Sequence, residues 1–234
     1  MAIETINTKD MYHEEIKVLW ERQKESIKNN NTTLRDVMDC DAFLEDKLYT
    51  DTILFLGIGS SYDKEDHGTC DIFDNIRYHN KEKSKASYYK AIEEMVGQTE
   101  FKEWSHIDLT LLRETKQKNV ESFYKDHYHI MKEQNEFAIK MIKQSKPKLI
   151  VVSNAFVCKI LQNKKLELGL GFQFSPADKV DDQIGTYKIK EPAELKNVPI
   201  FFTSMLSGQG QLDIGSRERL IWHINYVCKV LKIN

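Results

Sequence analysis

The run Ile53-Leu54-Phe55-Leu56-Gly57 constrains this chain more than any other feature. A continuous apolar stretch of strand length, closed by glycine, suits a strand buried on both faces of a parallel sheet and not a half-exposed strand. Three further runs of similar length follow: Ile107 to Leu112, Leu149 to Val152, and Pro199 to Phe202. Between them lie apolar residues at helical spacing. Lys83 to Val96 carries Tyr88, Tyr89, Ile92 and Met95; Asn119 to Lys143 carries Val120, Phe123, Tyr124, Ile130, Phe137, Ile139 and Ile142; Ser216 to Leu231 carries Leu220, Ile221, Ile224, Val227 and Leu231. Alternation of this kind predicts right-handed βαβ crossovers. The expected fold class is α/β, three-layer αβα, with a short, mainly parallel four-stranded sheet.

Two segments stand outside the alternation. Asn7-Thr8 can cap a helix striped by Met11, Ile16, Leu19, Trp20, Gln23 and Ile27, and a second helix is expected from Thr33 to Leu48. Together they make residues 1–50 an N-terminal helical extension. The segment 164–190 holds Leu168-Gly169-Leu170-Gly171, Phe172-Gln173-Phe174, a polar turn and Tyr187-Lys188-Ile189, and reads as a β-hairpin insertion on the sheet edge. With 234 residues the chain suits a single domain over 1–234 and is short for two α/β domains with a linker.

Composition removes several function classes. No apolar run approaches the roughly 18 to 20 residues that span a bilayer. The stretch Met1-Ala2-Ile3-Glu4-Thr5 lacks a basic region followed by an apolar one, so no membrane partner and a cytoplasmic location are expected. A net charge of −2 is not the footprint of a dedicated nucleic-acid binder, although Arg217, Arg219, Lys229 and Lys232 face only Glu218 after Ile214. Cys40, Cys70, Cys158 and Cys228 show no CxxC spacing, and His127 and His129 would fall on different faces of a helix. Neither a metal nor a cofactor is expected. No G-x-S-x-G elbow accompanies His106, His127, His129 or His223, so no Ser/His/Asp triad can be read.

In open parallel sheets ligands bind outside the carboxyl ends of the strands, which makes the four segments that trail the strands the candidates. Gly57-Ile58-Gly59-Ser60-Ser61-Tyr62-Asp63 offers small residues whose backbone N–H groups can approach a phosphate or a base, or simply a tight turn. Asp108 interrupts an apolar run, and a carboxylate there needs a ligand or a structural partner such as Arg113 or a backbone amide. Ser153-Asn154 opens a helix and can bind a ligand or cap it. Thr203 to Gln211 contributes Ser204, Ser207 and Gln209 ahead of the helix that carries Arg217, a stretch suited to an anion.

The order and content of these segments resemble the uracil-DNA glycosylase superfamily over about Thr52 to Val230 in arrangement, and in letters over short stretches. Gly57 to Tyr62 is similar to the family's water-activating motif of the type G-I-N-P-S-Y. Asp108-Leu109-Thr110-Leu111-Leu112-Arg113 is similar to N-T-V-L-T-V-R, whose asparagine reads the base, and Phe202 to Ser207 sits where the family has H-P-S-P-L-S. The resemblance implies hydrolysis of the N-glycosidic bond of a base in DNA or in a nucleotide. With the reading of the loops, it makes Asp63 and Asp108 the candidate catalytic residues, and Gly57, Gly59, Ser60, Ser61, Tyr62, Asn154, Ser204, Ser207, Gln209 and Arg217 the candidate binding residues. Gly59 departs from the water-orienting acid or amide, Asp108 from the asparagine and Phe202 from the histidine. Asp63, Asp66 and His67 lie downstream of Gly59 and can either supply the missing carboxylate or form a solvated acidic loop. An ionised Asp108 only accepts hydrogen bonds and would favour a base edge rich in donors. Two alternatives stay open: a catalytically inactive glycosylase-like binding module, and a hydrolase that cradles a nucleotide phosphate on Gly57 to Ser61.

Overall fold

A computed structural model describes residues 3–27, 32–40, 42–60, 73–74, 87–162, 172–175, 179–208 and 210–233. The strands are β1 (Thr5–Asn7), β2 (Leu44–Glu45), β3 (Lys47–Tyr49), β4 (Ile53–Gly57), β5 (Phe73–Asp74), β6 (Trp104–Asp108), β7 (Leu149–Val152), β8 (Gln173–Ser175), β9 (Tyr187–Glu191) and β10 (Pro199–Phe202). Seven α-helices lie among the described residues: α1 (Thr8–Ile27), α2 (Thr32–Met38), α3 (Ser87–Val96), α4 (Gln117–Asp126), α5 (Tyr128–Ser145), α6 (Ala155–Gln162) and α7 (Ile214–Leu231).

The main sheet has six strands in the order β6-β4-β7-β10-β9-β8. Its first four are parallel to one another, whereas β9 runs antiparallel to β10 and to β8. The sheet is therefore mixed and six-stranded, not four-stranded and mainly parallel: the hairpin β8–β9 continues the hydrogen-bond ladder past β10 and covers an edge that would otherwise present unpaired backbone groups. In chain order the parallel strands run second, first, third, fourth. The order reverses between β4 and β7, which is the topological switch point of such a sheet.

Side chains alternate across this sheet into two separate apolar cores. Leu54, Leu56, Ile107, Ile150, Val152 and Ile200 join residues of α1, α2, α4, α5 and α6. Ile53, Phe55, Trp104, Leu149, Val151 and Phe201 join α3 and α7. Every residue of β4 is buried, as its unbroken apolar sequence requires.

Three expectations are revised. The strand expected over Ile107 to Leu112 ends at Asp108; beyond it Leu109 and Thr110 give their N–H groups to Gly57 and Ile58 as paired loops. The helix expected from Thr33 to Leu48 stops at Met38. The chain then extends as β2 and β3, where β3 pairs antiparallel with β1 and β2 parallel with β5. The long helix through Asn119 to Lys143 is two helices, broken at His127 with φ −133° and ψ 44°. In α1 the buried stripe runs through Tyr12, while Met11 is half exposed. Asn7 does cap that helix, its Oδ1 accepting from the Asp10 N–H at 3.2 Å.

The N-terminal segments are tied firmly to the rest. Gln23 donates to the Ile130 carbonyl and to Glu133, and Gln134 donates to Gln23 Oε1 while accepting from the Leu111 N–H at 3.0 Å. Ser105 Oγ on β6 accepts from the Tyr49 N–H at 2.7 Å and donates to the Tyr49 carbonyl at 3.1 Å. Among the described residues no helix is long and apolar enough to cross a membrane.

Candidate functional site

Parallel pairing brings the carboxyl ends of β6, β4, β7 and β10 to one rim. The register pairs Ile53 with Trp104, Phe55 with His106 and Gly57 with Asp108, so these residues share the face that holds α3 and α7. One step past β7 and β10, the Ser153 N–H donates to the Leu56 carbonyl and the Thr203 N–H to the Val152 carbonyl. Alternation therefore sets Asp108, Gly57, Ser153 and Thr203 in a row along the rim on that same face.

Gly57 has no side chain for a plain reason. A Cβ there would lie 2.1 Å from Asp108 Oδ1 and 2.9 Å from His106 Nε2. The Asp108 carboxyl lies across Gly57, beside the switch point between β4 and β7. His106 Nε2 is 3.6 Å from Asp108 Oδ1, and the two side chains are only 3% and 7% exposed. At that distance there is no hydrogen bond, and His106 Nε2 has no such partner among the described residues. The imidazole meets the rings of Tyr88 and Tyr89 edge-on, with centroids 5.5 and 5.4 Å away. The Tyr88 hydroxyl in turn hydrogen-bonds Ser153 Oγ.

Burial sets the charge of these groups. Desolvation pushes the Asp108 carboxyl up to about 7 and His106 down to about 3, so His106 is neutral at neutral pH while Asp108 is divided between its two forms there and neutral below. The Tyr88 phenol is held well above its ordinary value, chiefly by burial, with the Ser153 hydrogen bond opposing and the Asp108 charge adding. A neutral carboxyl has one donor and one acceptor, the pattern that an asparagine amide presents. The ionised, acceptor-only carboxylate expected from the sequence thus shares this position with the neutral form near neutral pH.

Compared with family models, with curated proteins and with solved structures, the chain shows no significant match. The roles of its residues rest on the geometry itself.

Of the other residues singled out in the sequence, Gly59 and Ser60 lie where the loops after β4 and β6 run side by side. A Cβ on Gly59 would come within 2.8 Å of Thr110 Oγ1 and 3.0 Å of the Leu112 carbonyl. Ser60 bridges Arg113, and its carbonyl accepts from the Glu114 N–H. The Arg113 guanidinium lies 5.0 Å from the Phe43 ring centroid, and the ionisable neighbour of Asp108 is His106. Asn154 caps α6, its Oδ1 accepting from the N–H groups of Phe156 and Val157 at 2.9 and 3.1 Å while its Nδ2 donates to Gln117. Ser204 is exposed and Ser207 buried in the loop after β10. Arg217 ties α7 to α3 by donating to the Ala91 carbonyl and pairing with Glu94 at 3.0 Å. Ser61, Tyr62, Asp63 and Gln209, with Asp66 and His67, lie outside the described residues.

His106, Tyr88 and Ser153 complete the row. The signal for His106 was its spacing of two from Asp108, which puts both on one face once the strand starts at Trp104 and not at Ile107. Among the described residues no group of three His, Cys, Asp or Glu side chains could hold a metal ion.

Proposed function

We propose that this chain is a uracil-DNA glycosylase-like protein of the cytoplasm that takes a nucleobase, in DNA or in a nucleotide, at the Asp108–Gly57–Ser153 rim and hydrolyses its N-glycosidic bond. The observation that carries the reading is the buried Asp108 carboxyl lying across Gly57 beside the switch point, where an open α/β sheet binds its ligands. We read the two apolar cores as helical layers on either side of the sheet, a three-layer arrangement.

Asp108 in its neutral form donates to a base carbonyl or ring nitrogen and accepts from an adjacent N–H. In hydrolysis water adds to the anomeric carbon while the base leaves with the bonding electrons, and a donor aimed at that base stabilises the charge it gains. Asp63 is the carboxylate assigned to the attacking water, on the resemblance of its loop. Free thiols at Cys158 and Cys228 accord with a reducing compartment.

A second reading, a module that binds a base without cleaving it, draws on Phe202. Its ring packs against Phe174 and Tyr187, each with centroids 5.5 Å away, and brings no group able to stabilise a leaving anion. One experiment separates the two. Purified protein is incubated with uracil-, hypoxanthine- and alkylated-base oligonucleotides, then with alkali, alongside equilibrium binding of the same strands. Strand breaks that vanish in Asp108→Ala support hydrolysis; binding that weakens in Asp108→Ala without breaks supports the module. Neither breaks nor any effect on binding refutes both.

A further inference from the structure

A second surface, away from the Asp108 row, has its own chemistry. A cleft of about 450 Å³ lies between α7 and the turn that precedes β9, lined by Gln183, Ile184, Arg219, Trp222, His223 and Tyr226, with Asp182 and Gly185 at its margin. Trp222 is 67% exposed and Tyr226 40%, in a helix whose other large apolar residues past its first turn are buried or partly buried. The two rings lie nearly parallel, 11° apart with centroids at 5.6 Å. They are also fixed. Tyr226 donates its hydroxyl proton to the Gln183 carbonyl at 3.1 Å, and His223, in edge contact with Phe201, meets the Ile184 carbonyl at 2.6 Å. An exposed aromatic pair already held in one geometry has little left to lose in rotamer freedom when a flat partner settles on it.

Charge narrows the choice of partner. Arg219, Trp222, Tyr226 and Lys229 follow one another at spacings of three, four and three residues, and all are exposed on one side of α7. The guanidinium of Arg219 spends one N–H on Ser216 Oγ at 2.9 Å. Asp182, the acid lining the cleft, pairs with Lys179 at 3.7 Å; Glu218 borders the stripe on the helix, and the Asp213 carboxylate at the helix N-cap interacts with Arg219. Two cations thus bracket two stacked rings. At about 1.5 Å per helical residue the stripe from Arg219 to Lys229 spans about 15 Å, the length of roughly four stacked nucleotides.

We propose that this stripe is a stacking platform for single-stranded DNA, with bases laid on Trp222 and Tyr226 and the backbone phosphates met by Arg219 and Lys229. Aromatic faces interleaved with basic residues are what sequence-tolerant single-strand binding uses. That the strand is DNA rests on the reading of the Asp108 row; the platform itself does not.

The probe is a short oligothymidine with a fluorescent end label, whose anisotropy reads binding in every variant. Trp20 and Trp104 are 3% and 4% exposed, so quenching of tryptophan emission by the oligonucleotide reports Trp222. Quenching is expected, with Trp222→Ala weakening binding roughly 5- to 150-fold and Tyr226→Ala comparably. Trp222→Phe keeps most of the affinity, and Arg219→Gln lowers the slope of log K against log salt by about one. Circular dichroism melts of each variant should match the parent, since the substituted side chains are exposed. Weaker oligothymidine binding in Trp222→Ala is expected whether or not uracil-containing strands are cleaved, which keeps a failure of the base-binding row distinct from a failure of the platform. Unchanged binding in Trp222→Ala overturns the proposal. So does a tenfold preference for oligouridine, or a dimer in light scattering that Trp222→Ala dissolves, because then RNA or a second copy of the chain is the occupant.

Discussion

Asp108→Asn should expose a pH dependence that the parent protein conceals. In the unfolded chain Asp108 titrates near 3.8 and His106 near 6.5, so between those values the pair binds one proton, on the histidine. In the folded protein burial raises Asp108 to about 7 and lowers His106 to about 3, so the pair again binds one proton, now on the carboxyl. Stability changes with pH only where the two states bind different numbers of protons. The pair therefore contributes an almost level profile from about pH 4 to about pH 6.5, wherever the shared proton sits.

Each group alone would tilt it. The folded pKa of Asp108 is raised, so its contribution to stability falls as pH rises from about 4 to about 7; that of His106 is lowered, so its contribution falls as pH drops from 6.5 toward about 3. Asp108→Asn leaves only the second slope, at about 1.4 kcal/mol per pH unit, or about 3 kcal/mol between pH 6.5 and about 4.5. Above neutrality the variant escapes the burial of an ionised carboxylate and gains on the order of 4 kcal/mol over the parent. The assay is urea unfolding of both proteins, followed by circular dichroism in buffers from about pH 4.5 to about pH 8. Parallel stability curves would refute the reasoning, because they would mean that Asp108 is already ionised in the folded protein.

Gly57→Ala forces a Cβ to within 2.1 Å of Asp108 Oδ1; it should cost about 1–3 kcal/mol and abolish base binding, as read by thermal melts and by titration with a base-containing oligonucleotide. Asn154→Ala removes two bonds to the first turn of α6 and should cost about 1 kcal/mol, largely restored in Asn154→Asp; a loss of binding with no loss of stability would instead give this residue to the ligand. Gln134→Ala strips the fully buried Leu111 N–H of its acceptor, with an expected loss of about 1–3 kcal/mol and faster hydrogen exchange at that amide. Ser105→Ala leaves the Tyr49 N–H without its side-chain partner; exchange should accelerate across Lys47 to Tyr49 and not in β7.

The strands that build the parallel part of the sheet were legible because burial on both faces demands runs such as Ile53 to Gly57 and Leu149 to Val152. The end of β6 was not. Leu109, Leu111 and Leu112 are apolar because they are buried in the same core as α1 and α2, not because they continue a ladder, and periodicity cannot tell these causes apart. Starting the strand at Ile107 and not at Trp104 hid the alternation of Trp104, His106 and Asp108, and with it the neighbour of the carboxyl. Strands of two or three residues, such as β1, β2 and β3, offer no period to detect. Asn154 and Arg217 are residue types equally suited to ligands and to structure, and only the hydrogen bonds of α6 and of α3 show the work they do in the fold.

The N-terminal extension bears on the chemistry through register. A slip of β6 by one residue against β4 would send His106 and Asp108 to the face of Leu54 and Leu56 and leave Ile107 beside the glycine. Apolar matching resists that slip only partly, since β6 offers both faces of the sheet large side chains. Ser105 adds a polar constraint: its hydroxyl holds both the N–H and the carbonyl of Tyr49, on the strand β3 that β1 pairs in turn. A one-residue shift would carry the hydroxyl away from both groups, at a cost of about 0.5–1.5 kcal/mol for each part-buried hydrogen bond lost. The extension therefore helps fix which residues of β6 reach the rim, without itself supplying one.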